Sequence, residues 1–239
     1  MDLPVSINDE TPAIRHMASV GALFSALAHD IRNPINVITT STYFVQNKLV
    51  DADPRLVRHL ELIGSACKTA TSVLKDFVDY AAMPPPAPAL QTVIPAIRQA
   101  IAQLATGQSR LRFNPHVEEP DARIDPDFVT LAVRKLIQRA LDRSPGDSEV
   151  HLGAGIAGDG VEITVEDSGP PVPRPQREAF FQPQGATAGA RLNNLGLALV
   201  NEIVVAHYGR ARCEDAGPDR ATGSRMVIWF PRSVQPGQS

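Results

Sequence analysis

Four of the five positions from 84 to 88 are proline: Pro84, Pro85, Pro86 and Pro88. No helix runs through such a block, because proline lacks the backbone N–H and its ring clashes with the preceding turn. The segment 84–90 therefore predicts a stiff, extended connector between two parts of different pattern. In the first part, Phe24, Leu27, Ile31, Ile35 and Ile38 recur at spacings of three and four, which predicts a helix from Ala18 to about Lys48. Asp53 and Pro54 then suit the N-cap and N1 places of a second helix. Its seam, Leu56, Leu60, Ile63, Cys67, Ala70, Leu74 and Phe77, runs unbroken for three heptads. Two such helices make a hairpin over 18–83. A lone hairpin buries only part of its apolar surface, so two copies are expected to pair as a homodimeric four-helix bundle.

From 91 to 232 short apolar runs alternate with helix-like segments, the pattern of an α/β sandwich, leaving 1–17 as an N-terminal segment and 233–239 as a tail. The expected class is thus α + α/β, a helical hairpin followed by a sandwich. Within the second part, "GIAGDGVEI" sets Asp159 and Gly160 between two alternating runs, which predicts an antiparallel hairpin. His207 falls where the last helix gives way to a strand, where a positive charge would suit the helix dipole. Trp229 reads as core or sheet surface.

The charge balance, 23 basic against 26 acidic residues and a formal net −3, excludes bulk attraction to nucleic acid or an anionic membrane. No stretch reaches the roughly 18 apolar residues that span a bilayer, and the N-terminus lacks the basic start and apolar run of a secretory signal. A cytoplasmic protein is expected. Cys67 and Cys213 are too few for a disulfide framework or a zinc site and read as structural.

The stretch "LAHDIRNPINVI" at 27–38 interrupts the helical pattern with chemistry. His29 lies two residues from both Leu27 and Ile31, about 200° around the helix, and so points away from the seam. Ser25, Arg32, Asn33 and Asn36 extend a polar stripe on its side, which a solvated helix face would also explain. Pro34 argues for more, since an interior proline costs about 3 kcal/mol and frees a carbonyl one turn earlier, at Asp30. An exposed imidazole is a competent nucleophile near neutral pH, and Asp30 can hold one ring nitrogen protonated while the other attacks. Asn33, one turn on, can position a water. The set suits phosphoryl transfer, which needs positioning and charge compensation.

These residues resemble the phosphoacceptor box of two-component sensor histidine kinases: His, Asp or Glu, two residues, Asn or Thr, then Pro. His29, Asp30, Asn33 and Pro34 all match. The resemblance implies a dimeric helical-hairpin domain in which His29 is phosphorylated, Asp30 is its acid/base partner, and Asn33 aids dephosphorylation of a receiver partner.

The second part resembles the family's ATP-binding domain, with departures. "VEDSGPPVP" at 165–173 resembles the first glycine box, where Asp167 would accept from the adenine amino group and Gly169 would let the backbone approach; Pro171 replaces the second glycine. "REAFFQP" at 177–183 resembles the phenylalanine box, and "GATAGA" a short nucleotide lid. In "NNLGLALV" at 193–200 only Gly196 keeps the second glycine box, Leu192 and Asn194 standing at the earlier glycine positions. "LAVRKLIQRALDRS" at 131–144 falls at the asparagine box, where the family holds Mg²⁺ and phosphates. Lys135 and Arg139 stand at its asparagine positions and offer no acceptor to a hard dication. Four apart on one helix face, they either bind phosphate in place of the metal or are ordinary surface cations of a lobe that no longer binds nucleotide. Gln138 carries an amide oxygen but falls off that face.

The resulting expectation is a histidine phosphotransferase or degenerate kinase. His29 would exchange a phosphoryl group with an aspartate of a response-regulator receiver domain, and the C-terminal lobe would serve docking. No metal ligands are assigned; ATP with Mg²⁺ is the cofactor only of the first alternative, an autokinase with an altered metal site. The second alternative is a dimeric scaffold that sequesters a regulator.

Overall fold

A computed structural model describes residues 12–49, 53–82, 85–182, 195–217 and 222–233, with the backbone alone for 12–27, 29, 73, 76, 77, 79–82 and 195. The chain divides into two compact units, the first ending at Pro84 and the second beginning at Pro85.

The first unit is built from α1 (Pro12–Lys48) and α2 (Pro54–Ala82), which pack on each other as a hairpin. The helix α1 begins six residues before the expected start, at Pro12, whose missing N–H is an orphan donor in a first turn anyway. It continues through Pro34 to Lys48. At the second helix, Asp53 Oδ1 accepts from Arg55 N at 2.8 Å, the cap expected of it.

The expected seam of α1 divides in two. Of its residues Ile35 is half-buried and Ile31 and Ile38 are exposed, and the buried positions one heptad to either side of Ile35 are Ala28 and Thr42, which the expected seam did not include. On α2 the same split leaves Leu60 and Cys67 buried and Leu56 and Ile63 exposed. Alternating three- and four-residue spacings describe a stripe wide enough to serve two neighbours, and one partner helix covers only its inner edge. Thr42 Oγ1 is satisfied by Ile38 O at 2.8 Å, so its hydroxyl sits in the inner face without an unpaired donor.

The second unit is an α/β sandwich. Its main sheet has the order β2 (Leu111–Phe113), β4 (Val150–Ala157), β5 (Gly160–Glu166), β7 (Ser224–Pro231), β6 (Arg210–Asp215). The pair β2 and β4 is parallel and the other neighbours are antiparallel. A second ladder pairs β1 (Ala89–Thr92) with β3 (Asp121–Ile124), so the proline-rich stretch runs directly into a strand. Helices α3 (Ile94–Ala102), α4 (Pro126–Arg143) and α6 (Leu195–Ala206) complete the unit with the single turn α5 (Arg174–Arg177); α4 packs between α3 and α6.

Val161, Ile163 and Val165 are fully buried and alternate with half-buried Glu162, Thr164 and Glu166, the period of a strand with one face on a core. Leu136, Ile137 and Ala140 of α4 and Val200, Ile203 and Val204 of α6 supply the helical side of that core. Each such valine, leucine or isoleucine side chain contributes about 1.5 to 3 kcal/mol on burial. Asp125 caps α4 through its side chain, which accepts from Asp127 N at 3.2 Å, and Pro126 opens the first turn.

Two expectations shift. The hairpin between β4 and β5 turns on Gly158 and Asp159, with Gly160 already paired to Ala157; Gly158 has φ +62°, so the glycine that the turn demands lies two positions earlier than the Asp-Gly reading placed it. His207 is not a charged C-terminal residue. It is fully buried, its Nδ1 lies 2.7 Å from Ile203 O, and its Nε2 accepts from Asp125 N at 3.0 Å. A ring that donates from Nδ1 and accepts at Nε2 is neutral, and burial lowers its pKa from the ordinary imidazole value. Its function in the fold is to tie the end of α6 to the first turn of α4. Both cysteines are free and buried, and burial pushes the Cys213 thiol up to about 11, which keeps it inert.

Candidate functional site

The candidate site residues fall into two sets. The first lies on α1, which holds His29, Asp30 and Asn33 within little more than one turn. Asp30 and Asn33 are exposed, as are Pro34 and Asn36, while Arg32 is half-buried. The side chain of His29 lies outside the described residues. A helix presenting a carboxylate and an amide to solvent on adjacent turns can receive a large partner against this surface, which a buried arrangement could not.

The second set lies in the sandwich, on three segments distant in sequence. From α4 come Lys135, Arg139 and Arg143, each four residues from the last and so along one flank of the helix. Lys135 is only 7% exposed, which removes it from the class of ordinary surface cations. Its Nζ donates to Gln138 Oε1 at 3.1 Å, so Gln138 reaches the same side as Lys135 despite its nominal position. A Cβ on Gly196 would stand 3.6 Å from Lys135 Cδ, which puts the lysine stem against the first turn of α6. Arg139 stacks its guanidinium 6.0 Å over the ring of Phe180, itself buried and edge-on to Phe181 at 5.5 Å. Arg139 Nε is buried without a hydrogen-bond partner among the described residues. Burial, and then the neighbouring Arg143, lower the pKa of Arg139 from its ordinary value. Asp142 is pushed up by burial, against the pull of Arg139 and Lys135.

The third segment is the loop after β5. Asp167 is fully buried. Its Oδ1 accepts from Gly169 N at 2.8 Å and its Oδ2 from Arg143 Nε at 3.0 Å. The same guanidinium donates through Nη2 to Pro170 O. Gly169 is required where it stands, because a Cβ there would come within 2.4 Å of Arg143 O. The second unit therefore gathers Lys135 with Gly196, and Asp167 with Gly169, and Arg139 lies close enough to feel the Asp167 charge. Sequence reasoning missed Arg143. The available signal was its place four residues beyond Arg139 on the same helix. The expected lid, "GATAGA", lies outside the described residues.

This arrangement does not fit Mg²⁺. A hard dication needs several oxygen ligands. At the two positions in question stand side chains made only of donors, and the nearby amide oxygen of Gln138 already faces an ammonium.

Residues 124–234 match the model of the histidine kinase-, DNA gyrase B- and HSP90-like ATPase family. Across 231 residues the chain is 27% identical to the sensor histidine kinase ZraS of Escherichia coli O157:H7, covering 95% of this chain and 50% of that one. It is 25% identical to the sensor histidine kinase CpxA of Escherichia coli K12, with coverage of 95% and 50%. The chain thus spans about half the length of the curated relatives it matches. Among solved structures, it resembles histidine kinase ThkA in complex with response regulator protein TrrA, with a TM-score of 0.60 at 19% identity over 97% of this chain and 68% of that one. The mycobacterial sensor histidine kinase MprB gives a TM-score of 0.52 at 22% identity, over 62% of this chain and all of that one.

Proposed function

The chain belongs to the two-component histidine kinase family, and on that premise we propose that it carries a phosphoryl group on His29 and exchanges it with an aspartate of a response-regulator receiver domain, without drawing on ATP. The observation that carries the reading is the set His29, Asp30, Asn33 and Pro34 on one continuous helix, with Asp30 and Asn33 exposed. In the transfer, one imidazole nitrogen of His29 attacks phosphorus, the N–P bond forms, and the bond from phosphorus to the receiver carboxylate oxygen breaks. The ring N–H then becomes acidic, and the Asp30 carboxylate accepts that proton. Asn33 orients water for the hydrolytic return of the receiver to its unmodified state.

Two copies of the hairpin pair through exposed Ile31, Ile38, Leu56 and Ile63, which removes that stripe from water. The sandwich serves partner docking in place of nucleotide binding, a reading supported by the donor-only side chains of Lys135 and Arg139 where metal ligands would be needed. The test is incubation of the purified protein with a phosphorylated receiver domain. The unaltered protein acquires acid-labile, base-stable phosphate and His29→Gln does not. Retention of cellular signalling output by His29→Ala would instead favour a scaffold.

A further inference from the structure

The carboxylate of Asp167 has no surface left for a ligand. One oxygen receives Gly169 N at 2.8 Å, the other receives Arg143 Nε at 3.0 Å, and none of the side chain is exposed. Arg143 is itself held at a second point, through Pro170 O, and 17% of its side chain meets solvent. Its guanidinium thus covers one oxygen of the Asp167 carboxylate. Chemically it offers what an exocyclic amino group offers, a planar N–H donor, with the advantages of full charge and covalent attachment. The backbone closes in as well, with Arg143 O packed where any side chain at position 169 would begin.

We propose that Arg143 closes the base pocket of this lobe, its guanidinium taking the position on Asp167 that the amino group of an adenine would need. The inference rests on the reading of the lobe as one that does not bind nucleotide, and supplies a cause separate from the lost metal ligands. Lys135 and Arg139 concern the phosphate end, whereas Arg143 excludes the base. Arg143 is then a specificity-determining residue that acts through Asp167, and its removal reopens a slot selective for adenine.

The experiment is titration calorimetry of the whole chain with ADP and with GDP, free of Mg²⁺, on the unaltered protein, Arg143→Ala and the double variant Arg143→Ala, Asp167→Asn. In the double variant the remaining side-chain oxygen still accepts from Gly169 N and the amide nitrogen turns a donor toward the slot, so the buried charge is relieved and a folded variant is at hand should Arg143→Ala unfold; circular dichroism verifies this. The unaltered protein is expected to bind neither nucleotide, a folded Arg143→Ala to bind ADP at least about tenfold more tightly than GDP, and the double variant, whose slot offers a donor, to prefer GDP by a similar factor, the effect of one good charge-assisted or neutral hydrogen bond. Folded variants that bind neither nucleotide, or both equally, overturn the role of Arg143 and leave the reading of the lobe standing. ADP binding by the unaltered protein overturns that reading, and the closure by Arg143 with it.

Discussion

Arg143 and Asp167, 24 positions apart in sequence, form a charge pair at 3.0 Å that fastens the last residue of α4 to the loop following β5. Because the carboxylate is fully buried, its stability depends on the guanidinium. Removing one member of a buried pair strands the other charge, whereas replacing both with neutral groups of similar size costs little. Arg143→Ala alone is expected to destabilise the protein by about 3 kcal/mol, and Arg143→Met with Asp167→Asn by much less. Urea unfolding followed by circular dichroism distinguishes the two; equal losses would mean that the pair does not act as a unit.

His207 gives the sandwich a pH dependence. Burial lowers its folded-state pKa from the ordinary 6.5, so the unfolded chain binds the extra proton first as pH falls. The stability held by neutral His207 is complete above about pH 6.5 and is lost progressively below it, until the folded ring also protonates. Unfolding midpoints taken at pH 7.5 and 5.5 should fall more steeply for the unaltered protein than for His207→Gln. Identical slopes would contradict the neutral, buried assignment.

The exposed stripe of the hairpin predicts an assembly. Ile38→Glu or Ile63→Lys places a charge in the surface that pairing would bury and forfeits about 1.5 to 3 kcal/mol of apolar burial per copy, besides desolvating the charge. Sedimentation equilibrium should show a dimer for the unaltered chain and a monomer for either variant. A dimer that survives both substitutions would put the interface elsewhere.

Variants at Lys135 and Arg139 test whether phosphotransfer is separate from kinase activity. Lys135→Met exchanges a buried ammonium for an apolar side chain of similar length, and is expected to leave stability unchanged or raise it by about 1 kcal/mol. Paired with Arg139→Gln, it should leave the rate of transfer from a phosphorylated receiver to His29 unaltered. Loss of labelling by ATP in the same variant would instead identify an autokinase that uses these cations.

Features written in neighbouring residues were legible in the sequence. Asp53 followed by Pro54 announced a capped helix, and the alternation of Val161, Ile163 and Val165 announced a half-buried strand. What failed depended on distant parts of the chain. A three- and four-residue spacing does not say which edge of a stripe the partner helix covers, so Ile35 and Ile31 looked alike although they have different neighbours. His207 looked like an exposed helix end because nothing local reveals that Asp125, 82 residues away, donates its backbone N–H to the ring. Arg143 went unnoticed because an arginine at a helix end is ordinary until a buried carboxylate is folded onto it. The substitutions at 135 and 139 were legible as chemistry, since lysine and arginine lack acceptors in any conformation, but the burial of Lys135 was not.

The source of the phosphoryl group is the point on which the account stands, and two labelled donors offered side by side test it: γ-labelled ATP with Mg²⁺, and a receiver domain carrying labelled aspartyl phosphate. Acid-labile, base-stable label is expected on the unaltered protein from the receiver alone, and none from either donor on His29→Gln. Label from ATP on the unaltered protein, absent in His29→Gln, would contradict it and make this chain an autokinase.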